Sequence, residues 1–435
     1  MTSIHPVGAL RGTVHLPSSK PHGQRALVLA ALAAGPSRLT GLNVCSETAL
    51  LRDGCVALGS RVDPPDQDGA VQIRGTRPQT AEFLLRLAGS GFALRTLLAM
   101  SCVGVGPTIF IGQQRLGQRP HGPLIEALRL LGARIEPLSD DGLLPLVSWG
   151  GVLQAPAGAV TVPTAETSQF ATALLVIGPY VRGGLRLHLQ PPVHGGHYLR
   201  MTIEEIRRFG GEVEASADLR EITVRPGRYT GQSLRIGPDV TALFSFLAAA
   251  VLVDVDLHLP GVVLGADPFV DAAIGIGRRL GVRIDADGPG ISVVSGPPPS
   301  RPVVIDAAAL PTLVPALAAL ACELPAGLEV HGAAHLRHHK TSRLELVIGE
   351  LAKLGRRLTP TFVDGQPDGF ISGPRQRPTG EPLDSHGDHR LYAALSLAAM
   401  AGEAPVELSG EETLTASYPG LPASIAALSR ASART

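Results

Sequence analysis

A few short segments of this chain hold the side chains best suited to chemistry. The first is Lys20-Pro21-His22-Gly23-Gln24-Arg25, followed at once by the apolar run from Ala26 to Gly35. Two fixed cations stand there where a buried helix is expected to begin, near Gln24. A helix start already presents unpaired N–H groups and about half a positive charge. Adding lysine and arginine is locally unfavourable unless an anion occupies the site. In Gly89-Ser90-Gly91-Phe92-Ala93-Leu94-Arg95, two glycines let backbone N–H groups approach a ligand, and Arg95 follows one turn later. Arg115-Leu116-Gly117-Gln118-Arg119-Pro120 adds two cations in a loop. Glu166-Thr167-Ser168-Gln169-Phe170 offers neutral partners for hydroxyls or phosphate oxygens. Arg337-His338-His339-Lys340-Thr341-Ser342-Arg343 and Asp388-His389-Arg390 complete the series. Any one of these is ordinarily a solvated face. Their recurrence beside buried helices points to a small ligand with two or more anionic groups, gripped by Lys, Arg and helix N-termini.

The elements that must position them repeat. An amphipathic segment ends in a glycine after a bulky residue and is followed by a short alternating strand. The copies are Leu50 to Asp63, Leu124 to Glu136, Thr202 to Glu214, Ala273 to Asp285 and Leu344 to Leu358. Gly59, Gly132, Gly210, Gly281 and Gly355 are expected to supply left-handed helix caps. A sixth copy is expected at Ser424 to Arg430, its closing strand coming from elsewhere in the chain. Alternating with these are helices apolar nearly all round, hence buried, expected to begin near Gln24, Phe92, Ser168, Thr241, Leu310 and Asp388. A period of roughly 70 to 80 residues marks a repeated supersecondary unit, best satisfied by closed α/β domains. Gly and Pro cluster between Arg225 and Pro238, where a domain junction is expected, with another near Leu16 to Ser19.

Composition narrows the function. The chain has 435 residues, enough for roughly two to four domains. A formal net charge of +0 argues against a nucleic-acid or polybasic membrane binder, though not against a local basic cleft. The longest apolar runs, such as Leu243 to Val253, fall short of a membrane span of ~20 residues. Cys45, Cys55, Cys102 and Cys322 form no CxxC pair, and the first residues lack a basic region followed by an apolar one. A cytoplasmic protein with reduced thiols is the expectation. His194-Gly195-Gly196-His197 and His338-His339 lack a third ligand at useful spacing, so neither a metal nor another cofactor is expected. His389, between Asp388 and Arg390, is the candidate acid or base, or else orients Arg390. Lys340, a cation among cations, is a candidate base or phosphate ligand.

In their order along nearly the whole chain, these motifs resemble the 5-enolpyruvylshikimate-3-phosphate synthase family. Leu16-Pro17-Ser18-Ser19-Lys20 with Arg25-Ala26-Leu27 looks like its opening phosphate-site motif, and Leu87 to Arg95 like its Gly-rich loop. Arg115 to Pro120 matches R-x-x-x-R-P, and Thr167-Ser168-Gln169-Phe170 matches S-S-Q-F. Arg337 to Leu344 resembles R-V-K-E-T-D-R-L, and Asp388-His389-Arg390 the D-H-R motif. The resemblance implies an α/β fold of two globular domains, each of three βαβαββ units, with buried helices pointing at an interdomain cleft. The domains would be 19–230 and 1–18 plus 231–435. It implies that Lys20, Arg119, Arg343 and Arg390 hold phosphoenolpyruvate, and that Arg25, Ser168 and Gln169 hold shikimate 3-phosphate. Gly91, Arg95, Thr167, Thr312 and Asp388 complete the expected binding set, and Lys20, Lys340 and His389 the expected catalytic one. The expected partners are these small anions, with no nucleic acid or membrane, and the chain is expected to be a monomer.

Departures from the family pattern cluster on proton transfer. The family's Asp after the Pro of the fifth buried helix is Thr312, its Glu is Lys340, and its Lys before the C-terminal Phe-Pro pair falls at Ala416. Pro21 replaces a Ser and Gly89 an Asn. Enolpyruvyl transfer needs a base for a hydroxyl proton and an acid for the methylene of phosphoenolpyruvate, each worth typically ~10²–10⁴-fold. Three outcomes follow: a transferase with rebuilt proton transfer, a lyase eliminating phosphate without phosphoenolpyruvate, or a ligand-binding relative without chemistry.

Overall fold

The computed structural model describes every residue except 81–82, 140–143, 335, 337–341 and 433–435. The chain forms two compact units, Lys20–Ile236 and the combination of Met1–Ser19 with Gly237–Thr435. Each has its own apolar core, rich in Ala, Leu and Val.

The repeat is a βαβαββ unit. In the second copy, strand Leu84–Arg86 leads through the buried helix Gly91–Cys102 to the parallel strand Pro107–Ile111. The amphipathic helix Gly122–Leu130 follows, then strands Arg134–Pro137 and Leu146–Trp149, both antiparallel neighbours in the same sheet. The same order recurs through the buried helices Lys20–Leu32, Gln169–Ile177, Val240–Leu252 and Val314–Leu320, and around His389–Met400 with a sheet of three strands among the described residues. Gly59, Gly132, Gly210, Gly281 and Gly355 all have positive φ, between +71° and +95°, as expected of left-handed caps. A side chain there would strain the backbone at the turn from helix to strand.

Chain ends and unit ends complete the sheets. Ser233–Arg235 pairs in parallel with Pro36–Thr40, so the strand that opens the first repeat comes from the last residues of that unit. In the other unit, Ala9–Thr13 lies parallel to Asp254–Pro260. The sixth amphipathic helix runs Leu421–Ser432, and its sheet borrows the N-terminal strand Thr2–Ile4, antiparallel to Val406–Ser409. This is the closing strand that the sequence left to be supplied from elsewhere.

The first buried helix starts at Lys20, a full turn before the expected Gln24. Pro21 accounts for this: at a helix start it has no hydrogen bond to lose, and its fixed φ suits the first turn. The fifth starts later than expected, at Val314, because Pro311–Leu313 forms a tighter 3-10 turn first. Asp239 behaves as the ordinary cap its sequence suggests, accepting hydrogen bonds from the N–H groups of Thr241 (2.9 Å) and Ala242 (3.1 Å). No helix among the described residues is long and apolar enough to cross a membrane.

Candidate functional site

In the Lys20–Ile236 unit, Arg25 sits on the second turn of its helix and is only 3% exposed. Its Nε donates to Thr202 Oγ1 at 2.8 Å and its Nη1 to the Pro21 carbonyl at 2.9 Å. The rings of Phe92 and Tyr198 lie 5.3 and 5.4 Å from its guanidinium carbon. Burial lowers its pKa to about 10, against the opposing pull of Tyr198 and Glu205, so it stays cationic at neutral pH.

A second group gathers at the start of the next buried helix. Arg95 donates through Nη1 to Gln169 Oε1 and through Nη2 to the Pro120 carbonyl, and stacks over Phe170 at 5.0 Å. Burial and then the charge of Arg119 lower its pKa to about 9, with Glu166 opposing. Gly91 explains how the guanidinium groups come so close to the helix start. A Cβ there would stand 2.7 Å from Arg119 Nη1, 3.2 Å from Arg95 Nη1 and 3.6 Å from Gln169 Oε1. Two cations and a helix N-terminus thus face one spot, where an anion, if bound, would relieve their mutual repulsion. His121 anchors the Arg119 loop through its ring Nε2 to the Leu116 carbonyl at 2.8 Å. Burial, with Arg95 adding to it, pushes this imidazole down to about 4, so it is neutral and donates that bond.

Lys20 is buried and pairs with Glu47 at 2.9 Å, a residue in the first turn of helix Ser46–Ala57. Ser168 is buried against Gly195, where a Cβ would meet its Oγ at 2.7 Å. Thr167 Oγ1 accepts from the Gln169 N–H at 3.2 Å. Gln24 is 3% exposed, and its Nε2 has no hydrogen-bond partner among the described residues.

In the other unit, Asp388 is the organising group. It is fully buried and caps helix His389–Met400, its Oδ1 accepting from the Arg390 N–H at 2.8 Å. Its Oδ2 accepts from Arg343 Nε at 2.6 Å, and Arg343 is itself 4% exposed. Burial alone would raise this carboxyl, but Arg343, His389 and the hydrogen bonds outweigh it and hold the group far below the usual carboxylate range. His389 is buried and Arg390 half-buried beside it. Thr312 lies in the turn before helix Val314–Leu320, its Oγ1 in a long contact of 3.5 Å with that of Thr241. Ala416 ends the turn Glu411–Ala416. Lys340, with Arg337, His338 and His339, lies outside the described residues.

The structure therefore brings Gly91, Arg95, Arg119 and Gln169 together, and separately Arg343, Asp388, His389 and Arg390. Sequence reasoning missed Thr202, Tyr198, Gln24, Glu47 and His121. Thr202 and Tyr198 had a legible signal only as members of an amphipathic helix. Gln24 stood within the opening motif but was read as a helix start.

Buried helices of 7 to 13 residues, embedded in repeated βαβαββ units, define an enolpyruvyl transferase fold. Two solved structures share it over 98% of this chain. The EPSP synthase of Acinetobacter baumannii has a TM-score of 0.78 at 23% identity over 97% of its own length. The enolpyruvyl transferase NikO of Streptomyces tendae has 0.75 at 20% over 96%. The chain belongs to the EPSP synthase (3-phosphoshikimate 1-carboxyvinyltransferase) family, whose model matches residues 4–425. A 3-phosphoshikimate 1-carboxyvinyltransferase of Syntrophobacter fumaroxidans is 32% identical over 425 residues, covering 96% of this chain and 97% of that one. That of Deinococcus radiodurans is 30% identical over 98% and 95%.

Proposed function

We propose that this protein binds a phosphorylated, carboxylated cyclohexene of the shikimate 3-phosphate type. Arg25, Ser168 and Gln169 are its ligands, with Arg95 and Thr167 fixing Gln169. The observation that carries this reading is the convergence of Arg95, Arg119 and Gln169 on a helix start kept bare by Gly91. Lys20 and Arg119 are the cations of this unit that take a second anion, phosphoenolpyruvate where the family reaction runs. Arg343 and Arg390, ordered by Asp388, are the anion-binding cations of the other unit.

The proton-transfer groups are rebuilt. A threonine hydroxyl at position 312 is no base at neutral pH, and Ala416 carries no titratable atom. Any transfer of the enolpyruvyl group then draws its acid and base from His389, Lys340 and Lys20. A second reading is favoured by Thr312 itself. Without a base for a ligand hydroxyl, a site that stabilises departing phosphate suits elimination: a C–H proton leaves to His389 or Lys340, a C=C bond forms, and the C–O bond to phosphate breaks.

One assay separates these readings. Inorganic phosphate release is followed with shikimate 3-phosphate alone and with phosphoenolpyruvate added, alongside calorimetric titration of shikimate 3-phosphate. Release only with both substrates supports transfer, release from shikimate 3-phosphate alone supports elimination, and binding without release marks a ligand-binding relative. Failure of shikimate 3-phosphate to bind rejects the ligand class.

A further inference from the structure

The buried helices of the Lys20–Ile236 unit have a second set of ends, opposite those that carry the anion-binding residues. A cavity of about 480 Å³ opens there. Its walls are built by the repeat. Three isolated parallel bridges join Ala34 to Thr230, Gln79 to Val105, and Gln154 to Arg182. They make Ala34, Val105 and Arg182 equivalent positions, as are Thr230, Gln79 and Gln154. Two residues before each lie Leu32, Val103 and Tyr180 in one set, and Arg228, Arg77 and Val152 in the other, and all of these line the cavity.

The repeat symmetry is broken in chemistry. The third repeat contributes Arg182, Arg228 and Tyr180, and the first contributes Arg77. The second contributes Val103, Gly151 and Val152, the last 49% exposed, with Val105 beside them 55% exposed. One side of the cavity is therefore cationic and the other apolar. No acidic residue lines it among the described residues.

Cations at helix C-termini ordinarily answer the helix dipole, roughly −0.5 charge per helix. Arg77 does so, donating to the carbonyls of Val103 (3.1 Å) and Gly151 (3.3 Å). Two further carbonyls near the helix ends already have donors: Tyr180 OH serves Leu32 at 2.6 Å and Tyr229 OH serves Val176 at 2.8 Å. Arg182 and Arg228 have no side-chain hydrogen bond or ion pair among the described residues. Burial raises the Tyr180 phenol to about 12, opposed first by a hydrogen bond and then by the Arg228 charge. The other unit shows what a fully used cation looks like. Arg356, 2% exposed, donates to the carbonyls of Ala319 (2.6 Å) and Ala398 (3.1 Å) and pairs with Glu323.

We infer that this cavity is a second ligand site, for a small organic anion with two acidic groups on an apolar ring. The acidic groups meet Arg182 and Arg228, and the ring lies against Val103, Val152 and Tyr180. The volume lies within the range of about 300–1,000 Å³ usual for small-molecule pockets. Along the first buried helix the site stands roughly 20 Å from Lys20, from a rise of about 1.5 Å per residue. It is independent of the ligand proposed above.

The probe is benzene-1,3-dicarboxylate, titrated calorimetrically into the full chain. Wild type is expected to bind it at least tenfold more tightly than inorganic phosphate, because phosphate cannot use the apolar wall. Arg182→Gln with Arg228→Gln should weaken the dicarboxylate at least tenfold, as should Val152→Asp made separately. Arg25→Gln should leave it unchanged. All these exchanges outside Arg25 are at exposed positions, and circular dichroism confirms that the variants fold. Equal affinity in wild type and both cavity variants overturns the inference, as does a loss caused by Arg25→Gln alone. Absence of binding to wild type at about 10 mM, a free energy weaker than about −3 kcal/mol, overturns it too.

Discussion

Placing a methyl group on Gly91 separates the anion grip from the fold that carries it. The added Cβ would lie 2.7 Å from Arg119 Nη1 and 3.2 Å from Arg95 Nη1. Carbon contacts settle near ~3.5 Å, so the Arg119 guanidinium must retreat by roughly 0.8 Å. It is the far end of a flexible side chain, and the backbone need not move. A charge-assisted hydrogen bond of ~2.8 Å from that group to an anion then stretches beyond useful length. The loss is about 1.5–3 kcal/mol, or roughly 10- to 150-fold in affinity. Stability moves the other way or not at all, since Ala is a better helix former than Gly by up to ~1 kcal/mol. Calorimetric titration of Gly91→Ala with phosphoenolpyruvate and with shikimate 3-phosphate, beside a thermal melt, tests both halves. Gly122→Ala is the control: it also opens a helix, and its Cβ would meet nothing within 4 Å. Undiminished anion affinity in a Gly91→Ala protein that melts normally would refute the reasoning, because Arg119 would then not be a ligand.

Two further outcomes concern the buried charges. Asp388→Asn keeps a capping oxygen but strands Arg343, and should cost about 3–5 kcal/mol in urea unfolding near neutral pH. The Asp388 carboxyl is held below its unfolded value, so its contribution is present above about pH 4 and is lost as pH falls further; the gap between wild type and variant should narrow only in that acid range. His121 behaves oppositely to a paired histidine. Its pKa is depressed to about 4, so the unfolded chain binds the proton more readily, and stability should fall by up to about 3 kcal/mol as pH drops from about 6.5 towards 4. His121→Asn should flatten that part of the profile, and an unchanged slope would show that His121 is not the group responsible.

Much of the architecture was legible because it is written in periodicity. The glycines after the amphipathic segments announce left-handed caps, and Gly59 and Gly281 adopt the same φ of +95° in different units. The candidate anion-binding positions were legible as candidates because cations beside buried helices have no other ready explanation. What stayed hidden depends on residues distant in sequence. Nothing near Arg25 foretells Thr202, yet the two share a buried hydrogen bond. Nothing near Lys20 foretells that Glu47 reaches it. The start of the first helix was misjudged because Pro21 reads as a breaker, although at a helix start it is permissive. The cavity at the opposite helix ends was invisible for a related reason. Arg77, Val152 and Arg228 become equivalent only when the isolated bridges fix the register between repeats.

A grip of fixed charges and a proton relay respond differently to substitution. Arginine and a helix N-terminus hold an anion whatever reaction follows, because neither changes protonation near neutral pH. A relay works only while each member has a pKa close to the operating pH. We propose that Thr312, Lys340 and Ala416 stand where the family pattern has Asp, Glu and Lys; on that proposal one negative charge is lost, one is reversed and one positive charge is lost. On that proposal the set is more cationic than the family pattern, and its capacity to activate a hydroxyl is smaller. Such a change would strengthen the hold on an anionic ligand and weaken the attack of that ligand's hydroxyl on phosphoenolpyruvate. Selection for the original transfer would oppose both the loss of the carboxylate and the surplus of charge. Selection for binding or for the departure of phosphate would tolerate the first and favour the second. The Asp388 carboxylate is consumed in pairing with Arg343 and is too firmly ionised to carry a proton near neutral pH.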